Sequence, residues 1–343
     1  MNKSDKIFIA GACGMVGSAI VRNLAAKGYA NLLGNYHSRQ MDELKTLPIR
    51  LVKLDLRDQG GVCEFFKTEK PDHVFLAAAR VGGIHANSTY PAQFIYDNLA
   101  MQNNIIHSAH ESGVQRLLFL GSSCIYPKLA PQPMKEEHLL TGLLEPTNEA
   151  YAIAKIAGIK MCEAYNRQYK TRFFAVMPTN LYGTNDNFDL ENSHVLPALI
   201  RKFHEAKKAG ENQVTIWGSG SPRREFLHVD DMADASVHVM SLPDAEIDAH
   251  LTCYPAPCFV NVGTGTDCTI REVALMIKKQ VGFQGELFFD TTKPDGTMQK
   301  LLDVSRLANL GWIARIPLEK GIADTVMWYQ NVLEDRKIRQ VSF

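Results

Sequence analysis

Short apolar runs alternate with segments of helical periodicity through the first half of the chain. Most runs are apolar without interruption, which is typical of strands covered on both faces. The predicted strands are Ile7–Ala10, Asn31–Leu33, Ile49–Leu54, His73–Ala78, Leu117–Leu120 and Phe173–Met177. The predicted helices are Met15–Lys27, Val62–Thr68, Pro91–Glu111 and Tyr151–Tyr169. This alternation predicts an α/β fold, a doubly wound parallel sheet with helices on both faces.

The pattern changes after Pro178. Residues 179–193 are rich in Asn, Asp, Gly and Ser, and they predict a long polar loop. The elements predicted beyond it are a helix at Val195–Lys208, strands at Val214–Trp217 and Phe259–Val262, and a helix at Ile270–Val281. We expect Phe259–Val262 to return to the large sheet. The predicted domains are residues 1–178 with 232–265 around that sheet, and residues 179–231 with 266–343 as a smaller α/β domain over its carboxyl edge.

Composition narrows the class of protein. The 343 residues carry 37 basic and 37 acidic side chains, and this balance argues against nucleic acid or an anionic membrane as a partner. The first apolar run is too short for a signal-peptide core, and no window reaches the ~20 apolar residues of a membrane span. The seven cysteines include no C-x-x-C pair. They indicate reduced thiols in a cytoplasmic protein, with neither a disulfide framework nor a metal site.

A glycine-rich loop joins the first predicted strand to the first predicted helix. Glycines there permit a tight turn and let backbone N–H groups approach a pyrophosphate closely. The alternative is a purely structural turn. The strand–loop–helix context favours a dinucleotide site on a Rossmann-type sheet. The loop consists of Gly11, Ala12, Cys13, Gly14, Met15, Val16 and Gly17.

The end of the second predicted strand lacks the carboxylate that would bind the ribose hydroxyls of NAD. His37 and Arg39 occupy this region instead, which favours NADP. Arg39 is either a cofactor contact or a solvated loop charge. Asp55, after the third strand, is either a neighbour of the adenine or a helix N-cap.

Tyr151 and Lys155 form a Y-x-x-x-K motif within a predicted helix. The spacing places both side chains on one helix face. A nearby ammonium is expected to lower the pKa of the phenol from its usual ~10. Such a tyrosine can donate a proton to a carbonyl oxygen while hydride reaches the carbon. Tyr and Lys four residues apart also occur by chance, but the glycine loop upstream favours the catalytic interpretation.

The fifth predicted strand ends in Leu120-Gly121-Ser122-Ser123-Cys124. Side chains at the carboxyl end of a parallel strand face the ligand crevice. Either Ser122 or Ser123 could therefore hydrogen-bond a substrate oxygen beside Tyr151. Cys124 is either a thiolate base or an inert buried thiol.

These motifs together resemble the extended short-chain dehydrogenase/reductases. Longer segments are similar to the GDP-L-fucose synthase family, and the resemblance runs from about residue 6 to about residue 330. They are Gly121–Ala130, Glu145–Asn148, Tyr151–Lys160, Met177–Gly183, Asn192–Val195 and Arg224–Asp231. The resemblance implies 3,5-epimerisation and NADPH-dependent 4-reduction of GDP-4-keto-6-deoxy-D-mannose. It also implies a homodimer paired through residues 91–111 and 149–169.

The resemblance assigns roles by position. Cys124 and His194 are implied to be the acid–base pair of epimerisation, and Tyr151 the proton donor in reduction, assisted by Lys155 and Ser122. His194 taken alone would equally be a helix cap or a core residue. The implied NADP(H) contacts are residues Gly11 to Gly17, Arg39, Asp55, Leu120, Gly121, Ser122, Ser123, Lys155, Pro178, Thr179, Asn180, Leu181 and His194. The implied contacts to the GDP-sugar are Lys202, Trp217, Arg224 and Asp295.

Two of the implied substrate residues have simpler interpretations. Trp217 could pack in the core, and Asp295 could be a turn residue. Among other functions, a GDP-L-colitose synthase would epimerise only C5, and a simple 4-ketoreductase would not epimerise at all. A simple reductase does not need Cys124 and His194. A non-catalytic NADP(H) sensor is disfavoured because both Tyr151 and Lys155 are present.

Overall fold

The computed structural model describes residues 1–38, 40–190, 193–293 and 295–341, without the side chains of Ile84 and 334–341. The strands are β1 Ile7–Ala10, β2 Leu32–Tyr36, β3 Ile49–Lys53, β4 His73–Leu76, β5 Arg116–Leu120, β6 Arg172–Pro178, β7 Asn180–Tyr182, β8 Gln213–Trp217, β9 Arg223–His228, β10 Phe259–Val262, β11 Asp267–Thr269, β12 Glu286–Asp290 and β13 Gln299–Lys300. The helices are α1 Met15–Ala26, α2 Gln59–Glu69, α3 Ile84–Thr89, α4 Pro91–Glu111, α5 Glu149–Tyr169, α6 Val195–Ala209, α7 Val229–Ser241, α8 Asp244–His250, α9 Ile270–Val281, α10 Ser305–Asn309 and α11 Leu318–Val341.

Seven strands form one parallel sheet in the order β10-β6-β5-β4-β1-β2-β3. Strand order reverses beside β1, so the loop after β1 opens at the switch point where doubly wound sheets bind their ligands. Strands β1, β4, β5 and β10 are buried along their whole length. The α/β prediction is confirmed, including the return of Phe259–Val262 to the sheet.

Two apolar cores cover the two faces of this sheet. Successive residues of a strand face opposite sides, so Ile7 enters one core and Phe8 the other. Residues of α1 and α7 share the core of Ile7, and residues of α4 and α5 share the core of Phe8. Leu302 and Trp312, from the last part of the chain, also pack into these cores.

A third core lies outside the large sheet. It gathers residues of β8, α6, α9 and α11, among them Phe203, Ile216, Ile277 and Ile322. Strands β8 and β12 pair in parallel beside it, and β9 pairs with β7, β11 and β13 in a second small sheet. The domain boundaries drawn from the sequence stay a prediction.

The prediction of a polar loop at 179–193 is wrong for its first residues. Asn180–Tyr182 forms β7, because β9 offers a partner and Asn180 pairs with Phe226. Strand β2 continues to Tyr36, beyond the expected Leu33. Strand β9 and helix α7 were not predicted. Strand β9 begins with the charged residues Arg-Arg-Glu, so it lacks the continuous apolar run of the predicted strands.

Among the helices described, none is long and apolar enough to cross a membrane. All seven cysteines are free thiols. Within the described part of the chain, no group of His, Cys, Asp and Glu could hold a metal ion.

Candidate active site

The glycine loop after β1 is folded too tightly for side chains at two positions. Gly11 has a φ of +84°, and a Cβ there would lie 2.8 Å from the Cα of Ala78. A Cβ on Gly17 would lie 2.0 Å from the carbonyl oxygen of Gly11, because the first turn of α1 packs on the loop. The N–H of Gly14 donates to that same oxygen at 3.0 Å. This backbone cradle at a helix N-terminus fits the pyrophosphate of a dinucleotide.

Asn35 holds this loop in place, and the sequence analysis gave it no role. Its side chain is buried, and Oδ1 accepts the N–H of Gly11 at 2.7 Å. Its Nδ2 donates to the carbonyl oxygen of Leu54 at 3.0 Å. Asn35 therefore ties the loop to the end of β3. The sequence feature that could have indicated this role is a polar residue within the otherwise apolar β2.

Asn35→Ala is expected to weaken NADPH binding and to lower the thermal midpoint. The change leaves two half-buried backbone groups without the amide partner, at a cost of about 1 kcal/mol each. Fluorescence titration of NADPH should give a dissociation constant about tenfold higher, since each 1.4 kcal/mol is tenfold. Asn31→Ala is the matched control, because Asn31 donates a single exposed 3.3 Å bond to Ser4 at the other end of the strand. Unchanged cofactor affinity in Asn35→Ala would rule out this clamp.

Asp55, two residues after β3, is contacted by Arg57 and His37. Arg57 donates to its carboxylate at 3.0 and 2.8 Å, and Nε2 of His37 lies 3.4 Å from it. Arg57 holds the pKa of Asp55 down to about 2. The N-cap alternative is wrong, since Asp58 occupies the N-cap of α2. Arg39 lies outside the described residues, so its cofactor contact stays a prediction.

Ser122, rather than Ser123, is the hydroxyl that meets Tyr151. Ser122 is the hydroxyl that opposes the rise in the pKa of Tyr151, and its Oγ accepts the N–H of Cys124 at 3.5 Å. The Ser122 N–H approaches Sδ of Met177 at 3.0 Å. These contacts fix the start of a short 3₁₀ turn, Ser123–Ile125, directly after β5. Serine, tyrosine and cysteine thus meet at the carboxyl edge of the sheet.

The expected lowering of the Tyr151 pKa is wrong. Burial raises the pKa of Tyr151, Cys124 adds to the rise, and the Ser122 hydrogen bond opposes it. Lys155 donates from Nζ to the carbonyl oxygen of Leu120 at 2.8 Å and lies 5.7 Å from the Tyr151 ring centroid. Burial lowers the pKa of Lys155 to about 8. Tyr151 therefore stays protonated at neutral pH, as a proton donor must.

Cys124 and His194 differ in their access to solvent. Cys124 is 8% exposed, and burial raises the pKa of its thiol. His194 is the N-cap residue of α6, but its side chain makes no capping hydrogen bond. The imidazole remains accessible, yet the surrounding protein displaces enough water to lower the pKa of His194. Neutral thiol and neutral imidazole are the resting forms near pH 7.

The segment after β6 lies beside the end of β5. Pro178 ends β6, and the Thr179 hydroxyl and Asn180 Nδ2 donate to the carbonyl oxygen of Glu225 at 3.2 and 2.8 Å. Leu181 packs partly buried against the sheet core. Because β5 and β6 are neighbours, residues 178–181 and 120–123 share one edge of the sheet. Their contacts to the nicotinamide stay a prediction.

Trp217 is exposed, so the core-packing alternative is wrong. Its side chain is 68% exposed, and Nζ of both Lys202 and Lys293 lies 5.6 Å from the ring centroid. A flat exposed ring flanked by ammonium groups suits a purine base and its phosphates. Asp295 accepts the N–H and hydroxyl of Ser219 at 2.9 and 2.7 Å, and so it holds the turn that follows Trp217.

Arg224 faces a lysine that sequence reasoning missed. Arg224 on β9 pairs in register with Lys300 on β13, and Nη1 of Arg224 donates to the carbonyl oxygen of Arg223 at 2.7 Å. Lys300 acts to lower the pKa of the Cys124 thiol, although burial raises that pKa overall. A two-residue strand leaves almost no periodicity in the sequence, so only the fold brings Lys300 to the site.

The chain matches the NAD dependent epimerase/dehydratase family over residues 7–252. It is 57% identical over 325 residues to the GDP-L-fucose synthase of Escherichia coli (strain K12), covering 95% of this chain and 96% of the relative. It is 56% identical over 338 residues to the putative GDP-L-fucose synthase 2 of Arabidopsis thaliana, covering 98% and 95%. A GDP-L-colitose synthase of Yersinia pseudotuberculosis is 38% identical over 331 residues, covering 95% and 98%.

Solved structures with NADP bound have the same fold. A GDP-mannoheptose C4 reductase from Campylobacter jejuni gives a TM-score of 0.82 at 41% identity, covering 96% of this chain and 99% of that one. A GDP-L-fucose synthetase from Naegleria fowleri gives 0.79 at 27% identity, covering 97% and 96%.

Proposed function

Since the chain belongs to the NAD dependent epimerase/dehydratase family, we propose that it converts GDP-4-keto-6-deoxy-D-mannose to GDP-L-fucose. The reaction comprises epimerisation at C3 and C5 followed by NADPH-dependent reduction at C4. The observation that carries the proposal is the cluster of Ser122, Cys124, Tyr151 and Lys155 at the carboxyl edge of the sheet. It combines a proton donor for the C4 oxygen with a thiol that simple reduction does not require.

The two steps of the reaction use different residues. In epimerisation, Cys124 and His194 exchange protons with C3 and C5, which the 4-keto group acidifies. The thiol can lose a proton and the imidazole can gain one, so the pair has both the base and the acid that the exchange needs. In reduction, Tyr151 donates its proton to the C4 oxygen, and Ser122 assists it. NADPH supplies the hydride that reaches C4.

We expect the two ligands to bind through different residues. In this proposal the backbone of residues 11–17 binds the cofactor pyrophosphate, and Lys155 binds the nicotinamide ribose. Trp217, Lys202 and Arg224 offer a ring and cations to the GDP moiety. Arg224 is suited to phosphate because its guanidinium can donate two parallel hydrogen bonds.

The experiment is product analysis with GDP-4-keto-6-deoxy-mannose and NADPH, preceded by incubation in D₂O without NADPH. We expect GDP-L-fucose as the product and deuterium at both C3 and C5. Deuterium at C5 alone would favour a GDP-L-colitose synthase, the second candidate, which the Yersinia relative supports. Reduction without any exchange would favour a simple 4-ketoreductase, as the Campylobacter protein is named.

We also propose that the protein is cytoplasmic and that it forms a homodimer. Seven free thiols suit a reducing compartment. Helices α4 and α5 pack on each other and leave apolar side chains exposed on their outer faces, with Tyr96 at 70% and Ile153 at 41%. Exposed apolar side chains on two long helices suit pairing with a second copy.

Sedimentation is expected to give about twice the 38.3 kDa chain mass for the native protein. The double change Tyr96→Glu with Ile153→Glu should yield monomers, because buried carboxylates without partners are unfavourable. Leu275→Glu, at a side chain 50% exposed on α9, is the control and should leave the dimer intact. A native protein that sediments as a monomer would refute the dimer.

A further inference from the structure

The short turn that carries Cys124 is anchored at both of its ends. At its start, Ser122 Oγ accepts the N–H of Cys124 at 3.5 Å, and the Ser122 carbonyl oxygen accepts the N–H of Ile125 at 3.2 Å. At its end, Tyr126 is 3% exposed, and its hydroxyl donates to Oδ1 of Asn261 on β10. Ile125 is fully buried in the same core as Tyr126. The backbone of Cys124 is therefore held between the end of β5 and the edge strand β10.

Asn261, the partner of Tyr126, is itself held by further hydrogen bonds. Its N–H donates to Oε1 of Glu136 at 2.9 Å. Its Nδ2 donates to the carbonyl oxygens of Met134 and Asp303, each at 3.0 Å. Asn261 is fully buried, so a shift of its side chain would leave several polar groups without partners and without bulk water. The Tyr126 hydroxyl therefore meets an acceptor whose position is fixed.

This anchor acts on Cys124 more directly than on the residues of reduction. Tyr151 and Lys155 lie on α5, and Nζ of Lys155 donates to the carbonyl oxygen of Leu120, which precedes the turn, at 2.8 Å. Tyr126 lies only two residues after Cys124, and each residue has only two soft backbone dihedral angles. Loss of the Tyr126 bond would therefore release the chain on the far side of Cys124 and leave α5 in place.

We propose that Tyr126, through its bond to Asn261, is the positioning residue of Cys124 and sets where the thiol meets the C–H bonds of the substrate. The inference rests on the proposed function for the part that Cys124 plays in proton exchange at C3 and C5. Reacting atoms need to lie about 3–3.5 Å apart, and a misplacement of about 1 Å can cost about 10²-fold in rate. Tyr126 itself binds neither ligand, because its ring lies within the core.

The first test compares exchange with reduction in Tyr126→Phe. Deuterium exchange at C3 and C5 without NADPH should become about tenfold slower or more, because the base is misplaced. The KM for the GDP-sugar should stay unchanged, and NADPH oxidation should continue. Tyr182→Phe is the matched control, since Tyr182 is also buried and donates to the carbonyl oxygen of Leu318 at 3.5 Å in the third core. Equal loss of exchange and reduction in Tyr126→Phe would overturn the proposal.

The second test needs no GDP-sugar. Alkylation by iodoacetamide, followed by peptide mass spectrometry, compares Cys124 with Cys162, a fully buried thiol on α5. In Tyr126→Phe the released turn should expose Cys124, so its alkylation rate should rise several-fold relative to that of Cys162. Tyr182→Phe should leave this ratio at its native value. A native ratio in Tyr126→Phe, or an equal rise at both thiols, would overturn the proposal, because the first shows no release and the second shows general unfolding.

The two tests separate the anchor from the proposed function. A native protein that exchanges no deuterium would refute the proposed epimerisation, and the alkylation ratio would then decide alone whether Tyr126 holds the turn. Should Tyr126→Phe fail to fold, Asn261→Ser removes the acceptor of the same hydrogen bond and is measured in the same two ways. Slow exchange, continued NADPH oxidation and selective alkylation of Cys124 together would support the positioning role.

Discussion

Tyr151→Phe is expected to abolish reduction at C4 while exchange at C3 and C5 continues. Burial keeps the pKa of the Tyr151 hydroxyl above its usual value, so the hydroxyl carries a proton to donate throughout the neutral range. Loss of a positioned acid reduces rates by about 10²–10⁴-fold. The ring itself is retained, including its edge contact with Phe94 at 6.2 Å, so the fold should be preserved.

Two assays on the same preparation test this division of labour. NADPH oxidation reports reduction, and deuterium incorporation from D₂O without NADPH reports exchange. Tyr165→Phe is the matched control, since Tyr165 lies on the same helix and bonds His107 at 2.9 Å, away from the cluster. Equal loss of both activities in Tyr151→Phe would contradict the assignment.

Cys124→Ser is expected to have the opposite effect and to stop epimerisation first. A serine hydroxyl is nearly the same size as the thiol but does not ionise near neutral pH, so C3 and C5 lose their base. We expect exchange to fall by about 10²–10⁴-fold, the range typical of a lost acid or base. Tyr151, Ser122 and Lys155 remain in place, so NADPH oxidation should continue on substrate that has not been epimerised.

Product analysis and a second cysteine check that result. The reduced product should retain the original configuration at C3 and C5. Cys258→Ser is the control, because Cys258 is as buried as Cys124 and its Sγ approaches the carbonyl oxygen of Ile159 at 3.5 Å, remote from the cluster. If Cys124→Ser still exchanged both hydrogens at the native rate, another residue would be the base.

For two helices with strong local signals, the first and last residues predicted from the sequence match the structure. Helix α4 begins at Pro91, a residue favoured in the first helical turn. Helix α9 begins with a capping box of Thr269 and Glu272 and ends at Gly282 in the left-handed conformation. Strands β7 and β13 were missed because each is short and exists only through its pairing with β9.

The candidate site likewise combines residues that local sequence identifies with residues that only the fold brings together. The i, i+4 spacing of Tyr151 and Lys155 is a local property, so the sequence identified the pair and its helix. The choice of Ser122 over Ser123 depends on the turn after β5. Lys300 is far from Arg224 in sequence, and only the pairing of β13 with β9 brings them together. Asn35 likewise acts on Gly11 across two strands.

The sequence by itself determined the alternation of strands and helices around the large sheet, the glycine loop of residues 11–17 and the kinds of candidate catalytic group, because turn geometry and periodicity are local. Only the tertiary structure determined the direction in which the pKa values of the buried groups shift. Packing buries Tyr151 and raises its pKa, where the motif alone indicated a lowering. Desolvation depends on every atom that displaces water around a group, and those atoms come from distant parts of the chain. The zero net charge shows the same limit, since folding pairs Lys300 with Arg224 in neighbouring strands within a chain of balanced charge.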